Sequence, residues 1–505
     1  MTHSDRTAPG RIPHFPLLAA SAAALTLLGC GGGGNGTSFV PVPAATNAPA
    51  PAPAPSSGGT TTVDTTPQPT IAKPAGPLAL VPDSSAAFSP PDASATQYQK
   101  HLSIATANAG AGTFATPAAP GSAAYYNAAA LRRQWCYTAE NASSPPELQD
   151  RAVLPPIQMF DNVWAFGPRW VLQYGFLTGT GKSFLLDALN NTAEAQAITE
   201  PGLVAMGTTG AQLAAIMPTH GHGDHYGGAG YLQQKYGTPV YLGSADAAVG
   251  ARGVPPFTVT QFDSANLQPV DVDFGGLKAT VLSTPGHTAG TMSGVLPVKL
   301  AGKDYKLVFW GGTGMPNTLA LAQQYLDGAE RLYRLAAAQK VDGTLHTHPF
   351  VDGSLSKLDA LLATPALRSN SNPFLVGTSL ALRSLSILRE CSAAKVAQLD
   401  ATAVIPAWHT TTTDLSVTAA GQDQKGLRLT ATVRNPYGAL RDAVVKFSVA
   451  PQGATCTAAT DAKGQASCLL PAVSGVVASV NASFDDAALA DGSLQLGSTA
   501  ALALR

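Results

Sequence analysis

The sequence predicts a layered α/β domain, followed by an all-β sandwich and preceded by a long disordered linker. Three observations predict this. From Ser94 to Thr410, apolar strand-like runs alternate with helical patterns, as in an α/β domain built in layers. From Leu415 to Arg505 the runs are short and alternating, with no histidine and no strong helical pattern. From Gly31 to about Asp92 the chain is mostly Gly, Ala, Pro, Ser and Thr, a composition that cannot bury a core. At 505 residues the whole exceeds one ordinary core, so several domains are expected.

Residues 1–30 read as a targeting segment. Arg6 and Arg11 give a positive start, Phe15–Leu28 is apolar, and Leu27-Leu28-Gly29-Cys30 closes it. This ending resembles a bacterial lipobox, after which Cys30 becomes the lipidated first residue. The plainer alternative is an ordinary cleaved signal peptide with a chance cysteine. Gly31 and Gly32 follow where an aspartate would signal retention, which by the same resemblance favours the outer membrane, facing the periplasm. Residues 31–93 then form a tether, with Pro-Ala alternation at Pro49–Pro55 favouring extended polyproline II at about 3 Å per residue.

The catalytic candidate spans 94–410. Ser94–Cys136 is Ala-rich and helix-compatible, with Ala128–Trp135 as its clearest short helix. Gln158–Phe166, Trp170–Leu177 and Lys182–Leu189 read as strands. The G-K-S at Gly181–Ser183 is not a phosphate loop. That motif needs a glycine where Phe176 stands and a helix where F-L-L-D-A-L reads as a strand, so Gly179–Gly181 is a hairpin turn. Leu203–Leu213 is an expected helix and Ala214–Pro218 a buried strand. Gly230–Lys235 (helix) and Val240–Leu242 (strand) come next, and the strands Leu277–Ser283, Met292–Val298 and Tyr305–Trp310 follow. Long helical patterns at Asn317–Gln339 and Gly377–Leu399 close the domain.

Residues 411–505 form the last unit. Leu427, Leu429, Ala431 and Val433 alternate with polar neighbours, as do Val445, Phe447 and Val449, and D-A-K-G at Asp461–Gly464 is a hairpin signal. A-V-V-K-F-S-V followed by T-D-A-K-G-Q-A-S resembles bacterial surface Ig-like repeats, implying an Ig-like β-sandwich. Setting Cys30 aside leaves four cysteines, which allow three pairings. Cys456 and Cys468 share the small C-terminal unit, while Cys136 and Cys391 flank the metal-binding region of the domain before it, so these two pairs are expected. Export permits both.

Function is concentrated in T-H-G-H-G-D-H-Y-G-G, Thr219–Gly228. His220, His222, Asp224 and His225 gather three imidazoles and a carboxylate, a donor set that suits zinc. Its glycines let the backbone turn so that these side chains converge. His287 in T-P-G-H-T and His348 in H-T-H-P add two more imidazoles.

These motifs, over Ser94–Trp408, resemble the metallo-β-lactamase superfamily, whose fold is an αββα sandwich. The resemblance implies that His220, His222 and His287 hold one zinc ion and Asp224, His225 and His348 a second. I-Q-M-F-D-N-V-W-A-F-G, F-L-L-D-A-L-N and S-T-P-G-H-T-A-G-T-M-S look like the third, all-histidine lactamase subclass. Many relatives carry a bridging aspartate, or a cysteine, after the strand that follows the His287 equivalent. Here that stretch is V-F-W-G-G-T-G, which favours the all-histidine arrangement over glyoxalase-like or lactonase-like sites. The implied reaction is attack on a strained amide or ester carbonyl by a zinc-activated water, with Asp224 orienting the nucleophile. The resemblance also casts Asp187 as the residue orienting a ligand histidine.

His346 competes with His348 as ligand; the His-Pro context prefers His348 and leaves His346 beside it in the pocket. His101 and His409 read as structural or solvated, and Thr313, Tyr226 and Asn317 as substrate contacts or simply packing and capping residues. A net charge of -1 with 12% charged residues provides no basic field for nucleic acid. The expected partners are a small-molecule substrate, the membrane through Cys30, and a surface partner of the Ig-like unit. The competing readings are a lactone or phosphodiester hydrolase, and a non-enzymatic surface-binding protein acting through the Ig-like unit.

Overall fold

The computed structural model describes residues 74–84, 86–110, 126–420, 426–470 and 476–504, all within one compact unit, Pro67–Arg505. The segment 1–30, Cys30 and most of the expected tether lie outside the described residues. The end of the tether is corrected. Strand β1, Ala79–Pro82, pairs antiparallel with Gly438–Arg441, and Leu78 and Leu80 pack on the C-terminal core. Composition hides this strand because its hydrogen-bond partners lie more than 350 residues away.

Helix α1, Gln97–Ala109, starts at a capping box in which Thr96 and Gln99 each satisfy the other's backbone N–H. Helix α2, Ala128–Cys136, starts where the Asn127 side chain accepts the Ala130 N–H. Both lie against the long C-terminal helix of this domain, to which the Cys136–Cys391 disulfide ties α2.

Two sheets follow. The first runs in the order β2 (Val153–Phe160), β3 (Val163–Pro168), β4 (Gln173–Leu177), β5 (Ser183–Leu186), β6 (Leu213–Met217), β7 (Val240–Gly243) and β8 (Val259–Phe262). It is antiparallel as far as β5 and parallel beyond. The second places β13 (Gly343–Leu345), β12 (Lys303–Phe309), β11 (Met292–Leu300), β10 (Lys278–Ser283) and β9 (Val270–Asp273) side by side.

The alternation of side chains explains the layering. Val163, Ala165, Phe184, Leu186, Ala215 and Met217 face the second sheet. Their neighbours Trp164, Phe166, Leu185 and Ile216 face the opposite way, onto helices α3 (Glu200–Ala205) and α5 (Ala229–Tyr236). Between the sheets Phe184 stacks on Phe274 with ring centroids 4.4 Å apart, both fully buried. Each such phenyl contributes roughly 1.5–3 kcal/mol by burial. Helices α6 (Leu319–Gln339) and α7 (Thr378–Leu399) close the far side, completing a helix–sheet–sheet–helix sandwich.

Two local expectations change. Gln158–Phe166 is not one strand but a hairpin in which Phe160 faces Val163 across a two-residue Asp161–Asn162 turn. Leu203–Leu213 is not one helix: α3 ends at Ala205, Gly207 turns with φ 77°, and Leu213 already belongs to β6.

The C-terminal unit is a sandwich of two antiparallel sheets with its own core. After β14 (Trp408–His409), one sheet holds β15 (Thr412–Ala420), β16 (Gly426–Asn435) and β17 (Gly438–Arg441) with β1 at its edge. The other holds β18 (Val444–Ala450) and β19 (Thr455–Ala459). Asp461–Gly464 forms the expected tight turn, closed by the Gly464 N–H on the Asp461 carbonyl at 3.0 Å, but strand β20 (Gln465–Leu470) pairs with β16, so the turn joins strands of different sheets. The Cys456–Cys468 disulfide joins the two layers at this crossing. Strands β21 (Ser479–Phe484), β22 (Ala487–Ala488), β23 (Leu494–Gln495) and β24 (Ser498–Ala503) complete the unit, with β23 pairing β14. Among the described residues no helix is long and apolar enough to cross a membrane.

Candidate metal centre

Four strand ends deliver the site. Thr219–His222 follow β6, His287 lies between β10 and β11, His348 follows β13, and Asp187 follows β5. His220 and His222 are two residues apart on the bent segment that follows β6, His222 itself being extended with φ -97° and ψ 146°, and their ring nitrogens meet. The chain then winds into the single turn α4, Gly223–Tyr226, and this change of conformation carries Asp224 and His225 to a different side.

The first cluster is a triangle of imidazole nitrogens. His220 Nε2 lies 3.0 Å from His222 Nδ1, and His287 Nε2 lies 3.1 Å from each of them. Nitrogens bound tetrahedrally to one zinc at 2.0–2.1 Å would stand roughly 3.3 Å apart, so the triangle fits that ion. The second cluster sets Asp224 Oδ2 3.5 Å from both His225 Nε2 and His348 Nε2. His225 Nε2 is buried with no hydrogen-bond partner, the state of a ligand nitrogen awaiting an ion. The structure thus brings all six side chains together in two groups of three.

Outer partners fix each ring. His287 Nδ1–H donates to the Gly314 carbonyl and His348 Nδ1–H to the Trp170 carbonyl, both at 2.7 Å. His225 Nδ1–H donates to Asp187 at 2.5 Å, and Thr219 Oγ1 lies 3.1 Å from His220 Nδ1. Asp187 also accepts the Thr219 N–H at 2.6 Å. It does so from the left-handed region, φ 65°, a conformation that non-glycine residues hold only where the surroundings enforce it.

Comparison with known proteins bears on this arrangement. A family model for the metallo-β-lactamase superfamily matches residues 170–333. A hydroxyacylglutathione hydrolase of Synechococcus sp. (strain JA-3-3Ab) is 32% identical over 190 residues, 36% of this chain and 71% of that protein. The chain belongs to the metallo-β-lactamase superfamily. A second hydroxyacylglutathione hydrolase, from Synechococcus sp. (strain ATCC 27144 / PCC 6301 / SAUG 1402/1), is 33% identical over 143 residues, 28% of this chain and 48% of that one. The chain therefore spans most of one relative and about half of the other. Among solved structures, BJP-1, a subclass B3 metallo-β-lactamase of Bradyrhizobium japonicum, aligns with TM-score 0.38 and 23% identity. It covers 47% of this chain and 92% of its own. The protein is a hydrolase of this superfamily.

The electrostatics of this superfamily site favour cation binding at neutral pH. Burial, reinforced by the neighbouring imidazoles, holds His220 well below the usual histidine range. Burial likewise takes His287 to about 3 and His348 to about 4, although a carbonyl hydrogen bond opposes it in each. Their lone pairs are free at pH 7. Burial raises Asp224, but His225 and His348 beside it outweigh that and leave its carboxyl below the ordinary range. Burial lowers His225, and the carboxylates of Asp187 and Asp224 more than reverse it.

Other residues fall into place around the cage. His346 stands outside both clusters; its Nδ1 accepts the His348 N–H at 3.0 Å and its ring meets Trp135 edge-on. Asn317 accepts from Lys395, Tyr226 packs near Phe257, and Thr313 has a buried hydroxyl without a partner. His101 is buried against Glu390 at 2.7 Å, and His409 is buried beside Tyr437, so both are packed and not solvated. Sequence reasoning missed three contributors. The Trp170 and Gly314 carbonyls act through backbone, which leaves no side-chain signal, and Asp246 sits in an ordinary S-A-D-A context.

Proposed function

We propose that the protein is a zinc-dependent hydrolase that cleaves a strained cyclic amide or related ester, with β-lactams as the leading substrate class. His220, His222 and His287 would hold one zinc ion, and Asp224, His225 and His348 a second. When bound, such ions supply Lewis acidity toward a carbonyl oxygen and acidify water to a pKa of about 7.

The chain's own residues do the rest. Gly314, Trp170 and Asp187 keep the protons of three rings on Nδ1, so that Nε2 of each faces the cage as a bare acceptor. Asp224, partly exposed between His225 and His348, is placed to accept a proton and orient an attacking water. His222 is exposed and marks the open side. Near His348, Trp170 carries the Arg151 guanidinium 3.8 Å above its ring, a cation suited to the carboxylate of a β-lactam.

The observation that carries the choice of substrate is Gly312. A Cβ there would lie 2.4 Å from His287 Cβ, so this position has no room for a bridging carboxylate. The relatives' names favour a second reading, hydrolysis of a hydroxyacylglutathione, and the two separate in one assay. Zinc-loaded protein is offered a cephalosporin, a carbapenem, a penicillin, a simple lactone and a hydroxyacylglutathione, with a chelated control and Asp224→Ala alongside. Turnover of β-lactams that chelation and Asp224→Ala both abolish is expected. Turnover of the glutathione thioester alone would replace the substrate, and no turnover with any of them would leave the surface-binding alternative.

We further propose that the protein is exported and lipid-anchored at Cys30, facing the periplasm. The paired cysteines support an oxidising compartment.

A further inference from the structure

Asp246 is a buried carboxylate outside both donor clusters, yet it touches both loops that supply the first one. Its Oδ2 accepts the Gly221 N–H at 2.8 Å, between His220 and His222. The same oxygen accepts the Thr288 hydroxyl at 2.5 Å, next to His287. Its Oδ1 accepts the Gly290 N–H at 3.1 Å. The fit is close: a Cβ on Gly221 or Gly290 would come within 3.0 Å of this side chain. Apart from the contacts of the donor imidazoles with one another, no other side chain bonds the histidine loop of residues 219–222 to the loop of residues 287–291 among the described residues.

The second cluster has different supports. Asp187 holds His225 and Thr219, and the Trp170 carbonyl holds His348. Asp246 reaches none of Asp224, His225 and His348.

We propose that Asp246 is a positioning residue for the first metal site alone, clamping the His220–His222 loop to the His287 loop so that three imidazole nitrogens meet at one point. The physical reason is its acceptor count. An ionised carboxylate accepts at both oxygens, and all three donors here are N–H or O–H groups. In Asp246→Asn one end of the side chain becomes an NH₂. In either orientation it then faces a backbone N–H, that of Gly221 at one end or that of Gly290 at the other, and a clamping bond becomes a repulsion. The two metal sites would therefore differ in what secures them, and one substitution should loosen one of them. This inference rests on the metal-centre reading above.

The test is a zinc titration of the full chain against a competing chelator, reading affinity and stoichiometry and not turnover. His287→Ala and His348→Ala identify which binding class belongs to which cluster. Asp246→Asn should weaken the class that His287→Ala removes by about 10–100-fold, and leave the other class within about threefold of wild type. Thr288→Val, which removes one clamping bond, should shift the same class in the same direction by less, and Thr288→Ser should restore it. If Asp246→Asn fails to fold, as judged by circular dichroism, the Thr288 pair decides. Two classes unchanged in Asp246→Asn, or both weakened equally, overturn the clamp while leaving the metal centre standing. A wild-type protein that takes up no zinc overturns the metal-centre reading, and the clamp with it.

Discussion

Gly312 lies three residues past the end of β12, in the stretch where the family resemblance implies a bridging side chain, and it lies against the His287 ring. A Cβ at this position would meet His287 Cβ, Cγ and Cδ2 at 2.4, 2.7 and 2.9 Å. His287 cannot yield freely, because its Nδ1–H is bonded to the Gly314 carbonyl and its Nε2 completes the nitrogen triangle. Gly312→Ala should therefore push the ring out of the triangle. If the protein holds the proposed pair of zinc ions, the expected result is a fall from two ions per chain to about one, with hydrolysis lowered on the order of 100-fold. Overpacking of this kind costs about 1–3 kcal/mol, so a small loss of melting temperature should accompany it. Metal analysis and a thermal melt check both, and two tightly held zinc ions in the variant would show that the ring has room to move. At this scale the donor residues were legible because metal ligation demands particular side chains at short spacing. Asp246 and the Gly314 and Trp170 carbonyls were not, since buried carboxylates and backbone oxygens are common everywhere. Their roles appear only when distant loops meet.

Among the elements, α7 buries four charged side chains, those of Arg383, Arg389, Glu390 and Lys395. Glu390, fully buried, accepts from Arg389 at 2.5 Å, from the Trp408 N–H at 2.9 Å and from His101 Nδ1 at 2.7 Å. It thereby joins α1, α7 and β14, and it explains why His101 is packed inside. Burial alone would raise its carboxyl, but the Arg389 guanidinium and His101 outweigh this and bring it to about 2 from 4.5. A depressed carboxyl stabilises the fold above its unfolded pKa, and that contribution is lost as pH falls through the folded value. The shift corresponds to about 3 kcal/mol, present above about pH 4.5 and fading toward pH 2. Glu390→Gln should cost about that much at pH 7 and flatten the loss of stability between pH 4.5 and pH 2. Urea unfolding at several pH values measures it; parallel pH curves for the two proteins would mean that Glu390 is not the titrating group. Other elements show where sequence patterns stop. The 3.6-residue period found α6 and α7 to within two residues, since long helices with one buried stripe announce themselves. The helix expected through Leu203–Leu213 failed because a glycine with positive φ ends α3 early. Strand β1 was hidden because its pairing is wholly tertiary.

At the scale of the molecule, the two disulfides close loops of very different size. Cys136–Cys391 joins residues 255 apart and encloses every donor residue of the site, while Cys456–Cys468 joins residues 12 apart within the C-terminal sandwich. If cross-links act chiefly by restricting the unfolded chain, the cost of losing one grows with the logarithm of loop length. That gives about 5 kcal/mol for the long loop and about 3 kcal/mol for the short one, both upper estimates. The long link also fastens α2 to the middle of α7, near the Glu390 cluster, so its loss should loosen the N-terminal helices from the sandwich. Replacing Cys136 and Cys391 together by alanine should lower the stability of the hydrolase domain by several kcal/mol. The same exchange at Cys456 and Cys468 should cost less and act on the C-terminal sandwich. Calorimetry with and without a reductant separates the two, because reduction of wild type should reproduce the double variants. A hydrolase domain equally stable with its thiols reduced would remove the dependence on an oxidising compartment, and with it the main physical support for export.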